Sequence, residues 1–450
     1  MTRIARSAPL LLALLLPLIA LICTLDLARA RAEGRAQVQE QTIGISGAGR
    51  PITAVRFGDG PLKLVVVGDA HGGPEANTYE LTRLLIEHFR NAPEEVPDAV
   101  SLYLIPTLNP DGLALGTRFN ARGVDLNRNM DTRLDSCPEN DWNTRVQGAY
   151  GVVSDTGGPY PDSEVESRVI RDFLLDASGA IFLHSNAGLV FPAFCEHAPS
   201  LALGEVYAEA AGYVYSRYWP RYLITGGMHD WAGALGIAAI TPELITGEEP
   251  ELVQNLAGLQ AVLRSAAQLL PPPEDAEESG IRVPALIWRY WKAHGGAARF
   301  GGPLAPAEAL GDGRLRQVFE RAVLEFDPAQ AGAPDMVRPL PLGREAAAGV
   351  ALAAGAPATD GRLFPETGRS LRAGFRSYWE QADGAKLFGA PLSDEQEGWT
   401  ADGQRRTLQY FERGVLAYNP ADGSVAPEPL GWAWLVRQRL DEPTSAFSIR

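Results

Sequence analysis

Residues Leu62–Leu81 read LKLVVVGDAHGGPEANTYEL. LKLVVV, ending at Val67, is a short continuous apolar run of the kind that forms a strand buried on both faces. Pro74 suits a first helical turn, and Leu81, Leu84, Leu85 and then His88 or Phe89 follow at i, i+3, i+4 and i+7. Between strand and helix stand His71 and Glu75, placed where open α/β sheets carry their sites, beyond the carboxyl ends of the strands.

The same alternation continues along the chain. SLYLIP (101–106), AIFLHS (180–185) and IAAITPEL (237–244) read as further buried strands. SEVESRVIRDFLL (163–175) reads as a helix, and PELVQNLAGLQAVLRSAAQLL (250–270) as a closing helix. Strands alternating with helices predict an α/β fold, a mostly parallel, twisted mixed sheet with helices on both faces. PPPEDAEESG, residues 271–280, is proline-rich and acidic without an apolar period, and reads as an exposed linker.

Beyond the linker the text repeats. RYWKAHGGAARFGGPL (289–304) aligns with SYWEQADGAKLFGAPL (377–392), and QVFERAVLEFDP (317–328) with QYFERGVLAYNP (409–420). A duplicated, aromatic-rich small module is expected, over 281–345 and 362–435, with the first domain at 38–270. Neither copy carries a catalytic cluster.

The first thirty residues place Arg3 and Arg6 before an apolar run, then Ala28 and Ala30 as a small-residue cleavage pattern. This reads as a secretory signal, with an uncleaved membrane anchor as the alternative, so the body is expected to be secreted. In an oxidising compartment Cys137 and Cys195 read as a disulfide pair. With 40 Lys and Arg against 55 Asp and Glu, a net charge of −15 argues against a nucleic-acid partner.

The chemistry gathers in the first domain. His184 ends AIFLH, where it would emerge at the same sheet edge as His71 and Glu75. Two histidines and a carboxylate suit a catalytic zinc, leaving one position open for water. GTRFNARGVDLNRN (116–129) holds Arg118, Arg122, Asn127 and Arg128, and an arginine fork fits a carboxylate in two places. Glu243 sits in an apolar strand, where an acid needs a reason.

GDAHGGPE, NPDG, GVDLNRN, FLHSNAG, YLITGGMHDW and TPEL, in this order, resemble the zinc carboxypeptidase family over roughly Gln41–Leu270. The resemblance implies one zinc per chain on His71, Glu75 and His184, a substrate carboxylate gripped by Asn127 and Arg128, and a capping Tyr222. It further implies Arg118 as the oxyanion donor, with Arg122 as the alternative, and Glu243 as the catalytic acid–base. His229 falls at the floor of the pocket for the terminal side chain, where it would favour a polar or acidic one. The family pattern has two residues between histidine and glutamate; here Gly72, Gly73 and Pro74 make three, the glycines being expected to bend the extra residue out. Asp69 is the fallback ligand. The implied partner is a peptide with a free carboxylate.

Phe-Gly-x-Pro-Leu followed by Phe-Glu-Arg is loosely similar to LGFP-type repeats of bacterial envelope proteins, which implies a cell-wall partner and stem-peptide substrates. The same aromatics also read as plain core. The competing reading is a non-catalytic envelope or glycan-binding protein whose peptidase-like domain has lost its metal.

Overall fold

The computed structural model describes residues 38–148, 151–354 and 361–441. The expected signal or anchor segment, 1–30, lies outside the described residues. Among those described, no helix is long and apolar enough to cross a membrane.

Eleven strands serve the first domain: β1 (Gln39–Ile45), β2 (Pro51–Phe57), β3 (Leu62–Val67), β4 (Val100–Ile105), β5 (Val146–Gln147), β6 (Val153–Ser154), β7 (Gly179–Phe182), β8 (His184–Ser185), β9 (Leu189–Pro192), β10 (Val214–Tyr215) and β11 (Ala238–Leu244). All but the small β5–β6 hairpin form one nine-stranded sheet, ordered β1-β2-β4-β3-β7-β11-β9-β10 with β8 on β11. β4, β3, β7 and β11 run parallel, while β1–β2, β2–β4 and β9–β11 pair antiparallel. The predicted α/β mixed sheet is therefore present, parallel at its centre.

Alternation along each strand sorts the core into two faces. Leu64, Val66, Leu102 and Leu104 face Leu81, Leu85 and Phe89 of the Asn77–Asn91 helix, together with the Leu252–Arg264 helix. Val65, Val67, Tyr103 and Ile105 face the opposite way, onto the Val165–Phe173 and Met228–Ala234 helices. The closing helix, expected as one, breaks at Ser265 into Leu252–Arg264 and Ala266–Leu269.

The second half of the expected linker is structured. Ala276–Glu278 pairs antiparallel with Ile281–Val283 around Gly280, whose φ is +76°. The strand showed no apolar period because none of its residues is fully buried.

The element order after this hairpin recurs. A helix (Ala285–Ala293), a short helix (Gly296–Phe300) and a four-stranded antiparallel sheet spanning 308–339 are followed, after a second hairpin at 362–371, by Ala373–Gln381, Gly384–Leu387 and a four-stranded sheet spanning 396–427. Matching side chains make matching bonds. Trp291 Nε1 donates to the Gly301 carbonyl and Trp379 Nε1 to that of Gly389, each at 3.0 Å. Gln317 ties Arg282 to Ala305, as Gln409 ties Ser370 to Ser393. Trp291, Phe319, Trp379 and Phe411, the shared aromatic skeleton, are buried as core.

These modules pack against the first domain. Ile287, Tyr290, Phe300, Phe375 and Phe388 share one cluster with Val65, Phe173 and Trp231 of the sheet's second face. The buried Arg289 donates to the carbonyls of Leu175, Ala177 and Gly236. Arg171 Nη2 meets Asp383 at 2.6 Å, and Asp172 takes Lys386 at 2.8 Å and lies 3.1 Å from His294 Nε2.

Candidate metal centre and catalytic pocket

β3 delivers Asp69 and His71, and the turn that follows explains the three intervening residues. Gly73 adopts φ +63° and opens a 3₁₀ turn, Gly73–Glu75, with Pro74 inside it. A Cβ on Gly72 would lie 2.2 Å from the Gly112 backbone. Two residues without side chains thus let the chain fold tightly enough for Glu75 to return to His71. The α-helix starts only at Asn77, so Pro74 lies within the 3₁₀ turn rather than at the start of the helix.

β8 lies beside β11 with His184 in register with Glu243, which brings the second histidine and the late acid to one sheet edge. His71 Nδ1 is 2.9 Å from Glu75 Oε1, His184 Nδ1 is 2.9 Å from Glu75 Oε2, and the two Nδ1 atoms are 3.1 Å apart. All three residues are buried. Each histidine thus meets a different oxygen of the Glu75 carboxylate, and these contacts of 2.9–3.1 Å come close to the roughly 3.3 Å separations expected of tetrahedral zinc ligands at about 2.0–2.1 Å.

The hydrogen bonding supports the fit. His71 Nε2 lies 2.9 Å from Asp125 Oδ1, a contact that orients the ring with Nδ1 toward Glu75. A ring nitrogen held against a carboxylate oxygen calls for positive charge between them, a proton or a bound cation. The residues present fit a divalent cation bound by two imidazoles and one carboxylate.

Electrostatics divide the carboxylates. Burial pushes Glu75 and Asp125 up, but His71 and Arg118 outweigh it and hold both well below the usual range. Burial, and after it the charge of Glu75, pushes Glu243 up to about 8. Burial lowers His184. Two carboxylates of one cavity are thus shifted in opposite directions, an arrangement in which one stays ionised while the other can carry a proton.

His71, Glu75, Arg118, Asn127, Arg128, His184, Tyr222 and Glu243 line a single cavity. The Asp125 side chain caps the 3₁₀ turn Leu126–Arg128, accepting from Asn127 N at 3.1 Å and so presenting Asn127 and Arg128 to the cavity. Arg128 sits beneath Tyr222, its guanidinium 5.8 Å from the ring centre. Arg118 reaches Glu75 at 2.6 Å through Nη1 and Asp125 at 2.9 Å through Nε.

Three sequence candidates fall elsewhere. Asp69 does not line the cavity: its carboxylate turns to the Thr107 hydroxyl, so it is no stand-in ligand. Arg122 is exposed, 3.7 Å from Glu164, which leaves Arg118 as the arginine beside the ligands. His229 lies in an adjoining pocket with Phe191, Trp219, Tyr222 and Ile224, and its Nδ1 is buried without a partner.

Sequence reading passed over Asp125, although it sits two positions before Asn127 in the quoted GVDLNRN. Only the folded loop shows that its carboxylate backs the histidine. Arg221 and Trp219, also on the cavity wall, carried no motif, and Asn186, within the quoted FLHSNAG, was given no role.

The family model described as zinc carboxypeptidase matches residues 26–279. A bacteriocin of Clostridium perfringens, BCN5, is 38% identical over 149 residues, 30% of this chain and 15% of that protein. Carboxypeptidase B of Astacus astacus is 26% identical over 162 residues, 31% of this chain and 50% of that one. The chain thus spans half or less of the length of these curated relatives. Among solved structures, thrombin-activatable fibrinolysis inhibitor aligns with a TM-score of 0.43 at 18% identity, covering 51% of this chain and 72% of that one.

Proposed function

The chain belongs to the zinc carboxypeptidase family, and from that premise we propose that it hydrolyses a peptide bond next to a free carboxylate with a single zinc held by His71, Glu75 and His184. The observation that carries this reading is the buried cluster of His71 Nδ1, His184 Nδ1 and the two Glu75 carboxylate oxygens, in contact at 2.9, 2.9 and 3.1 Å, with Glu243 in register beside it. Bound zinc supplies a Lewis acid and brings the pKa of a nearby water toward about 7.

The chain's own residues do the rest. Asn127 and Arg128 hold the terminal carboxylate, the guanidinium as a planar two-point fork. Tyr222 closes over that grip. Arg118 donates to the developing oxyanion; losing such a donor costs about 3 kcal/mol, a hundredfold or more in rate. Glu243 takes the proton of the attacking water and returns it to the leaving amine. Burial pushes its carboxyl up, and a cation shared by the neighbouring ligands opposes that rise. His229 faces the terminal side chain from its own pocket.

Export of the protein is part of the proposal, supported by the Cys137–Cys195 disulfide. So is action on cell-wall stem peptides, with the C-terminal modules as the wall-facing part; the groove holding Trp432, Arg406 and Asn419 supports it with a half-exposed aromatic face among hydrogen-bonding groups.

The test is metal analysis combined with digestion of a peptide library and of purified murein, read by mass spectrometry. One zinc per chain, loss of terminal-residue release on chelation, and a Glu243→Gln variant that keeps zinc without turnover support the reading. A chain that takes up no zinc and releases no terminal residue overturns it.

A further inference from the structure

Besides the residues already given roles, the cavity wall contains Arg221, Trp219 and Asn186. We propose that Arg221 binds a second carboxylate on the substrate, distinct from the terminal one, so that the preferred substrates are acidic peptides. The inference rests on the carboxypeptidase reading and names its substrate class.

The argument begins with the charges on the wall. Arg118 is satisfied by Glu75 and Asp125. Arg128 is buried and directed by its bonds to the Asn127 and Gln147 carbonyls, and it serves the terminal carboxylate. Glu75 belongs to the metal cluster and Glu243 to proton transfer. Arg221 is left over: it is exposed at the cavity wall, its charge is felt by Glu243 across the cavity, and none of the ion pairs among the described residues includes it, in a chain whose net charge is −15. A cation kept unpaired at the wall of a binding cavity gives an incoming anion a place without displacing an internal partner.

Arg221 is also held in position. Its guanidinium lies 5.2 Å from the centre of the Trp219 ring, a cation–π contact. Nη2 donates to the Asn186 carbonyl at 3.3 Å. Two fixed contacts occupy a face and one edge, and the remaining donors of the planar fork stay available. Asn186 follows His184 and Ser185 directly, whereas Trp219 and Tyr222 belong to the overhanging 216–224 segment. The guanidinium therefore spans the cavity from the overhang to the strand that carries a metal ligand.

A substrate reaching this cavity meets Arg128 at one place and Arg221 at another. The second anionic group can be the side chain of the last residue or that of the residue before it, and the experiment separates the two.

Three N-acylated dipeptide series are compared on the zinc-loaded full chain: neutral throughout, acidic at the last position, and acidic at the penultimate position. Binding is followed by calorimetry with a Glu243→Gln background, and turnover with the unaltered site. The expected result is a three- to tenfold preference for one acidic series over the neutral one, falling toward unity in Arg221→Gln and partly restored in Arg221→Lys. The acidic position that shows the preference identifies the source. An acidic-to-neutral ratio that Arg221→Gln leaves unaltered overturns the inference while turnover still supports the carboxypeptidase. A ratio that collapses in the binding measurement without any turnover upholds Arg221 and overturns the carboxypeptidase reading instead.

Discussion

The Asp125 carboxylate reaches His71 Nε2 with one oxygen at 2.9 Å and Arg118 Nε with the other at 2.9 Å. It also receives the backbone N–H that caps the Leu126–Arg128 turn. One buried acid, 1% exposed, therefore braces a histidine of the candidate metal cluster, the arginine beside that cluster and the turn that presents Asn127 and Arg128.

Asp125→Asn keeps the shape but removes the charge that anchors both partners. Zinc affinity should fall about 10–100-fold, as it does when a ligand's supporting acid is lost. Competition with a fluorescent chelator measures this. An unchanged affinity would separate His71 from its supposed support.

Cys195 and Glu196 both adopt positive φ, 67° and 56°, in the loop tied to Cys137. Glu196 pairs with Arg217 and accepts from the Tyr218 hydroxyl, at the base of the overhang that carries Trp219 and Tyr222. The double variant Cys137→Ser, Cys195→Ser should lose about 2–4 kcal/mol of stability. It should also raise KM more than it lowers kcat, because the overhang loses its footing. Urea titration and steady-state kinetics on one preparation read both effects.

Arg171 is buried against Asp162, Asp172 and Asp383. Asp383→Asn takes away the partner that comes from the second module. Since two acids remain, the expected loss is about 1–3 kcal/mol rather than the larger cost of an isolated buried charge. Chemical denaturation should show a lower midpoint, and a zinc content equal to that of the unaltered chain would confirm that the effect stays at the seam.

His294 is buried between Tyr290 and Asp172, its Nδ1 2.8 Å from the Tyr290 carbonyl. Arg171, Lys386 and Asp383 are the other charged groups at this seam. Burial, with Arg171 adding to it, pushes its pKa down to about 4. A histidine depressed in the folded state contributes stability that is complete above its unfolded pKa of about 6.5 and is lost as pH falls toward about 4. Melting temperature should decline across that window, and less steeply in His294→Gln; equal slopes would assign the acid sensitivity to other groups.

The sheet was legible because LKLVVV, SLYLIP and AIFLHS are short, mostly apolar runs set between helical stretches, the pattern of strands covered on both faces. His184 and Glu243 were legible because each lies at the end of an apolar run, where a polar side chain has no packing reason to be, and His71 and Glu75 because they follow one in the order of motifs that resembles the zinc carboxypeptidase family. Asp125 was not, since its part depends on how a loop folds back on β3. Nor was the seam: Arg171 and Asp383 are 212 positions apart, and charged residues in a repeat read as solvated until something is seen to cover them. The hairpin at 276–283 was hidden for a related reason, because its first strand has no fully buried side chain and its second only Val283, too few to leave a periodic trace.

Tyr103, Phe173 and Trp231 share their apolar surroundings with Ile287, Tyr290 and Phe375, and three main-chain oxygens of the sheet domain accept from Arg289. A gene shortened to end at residue 270 would strip that lining away, leaving a hydrophobic wall in water and acceptors without donors. The peptidase half is thus poorly suited to excision as a minimal enzyme, and attempts to express it alone should yield aggregates in place of a smaller catalyst.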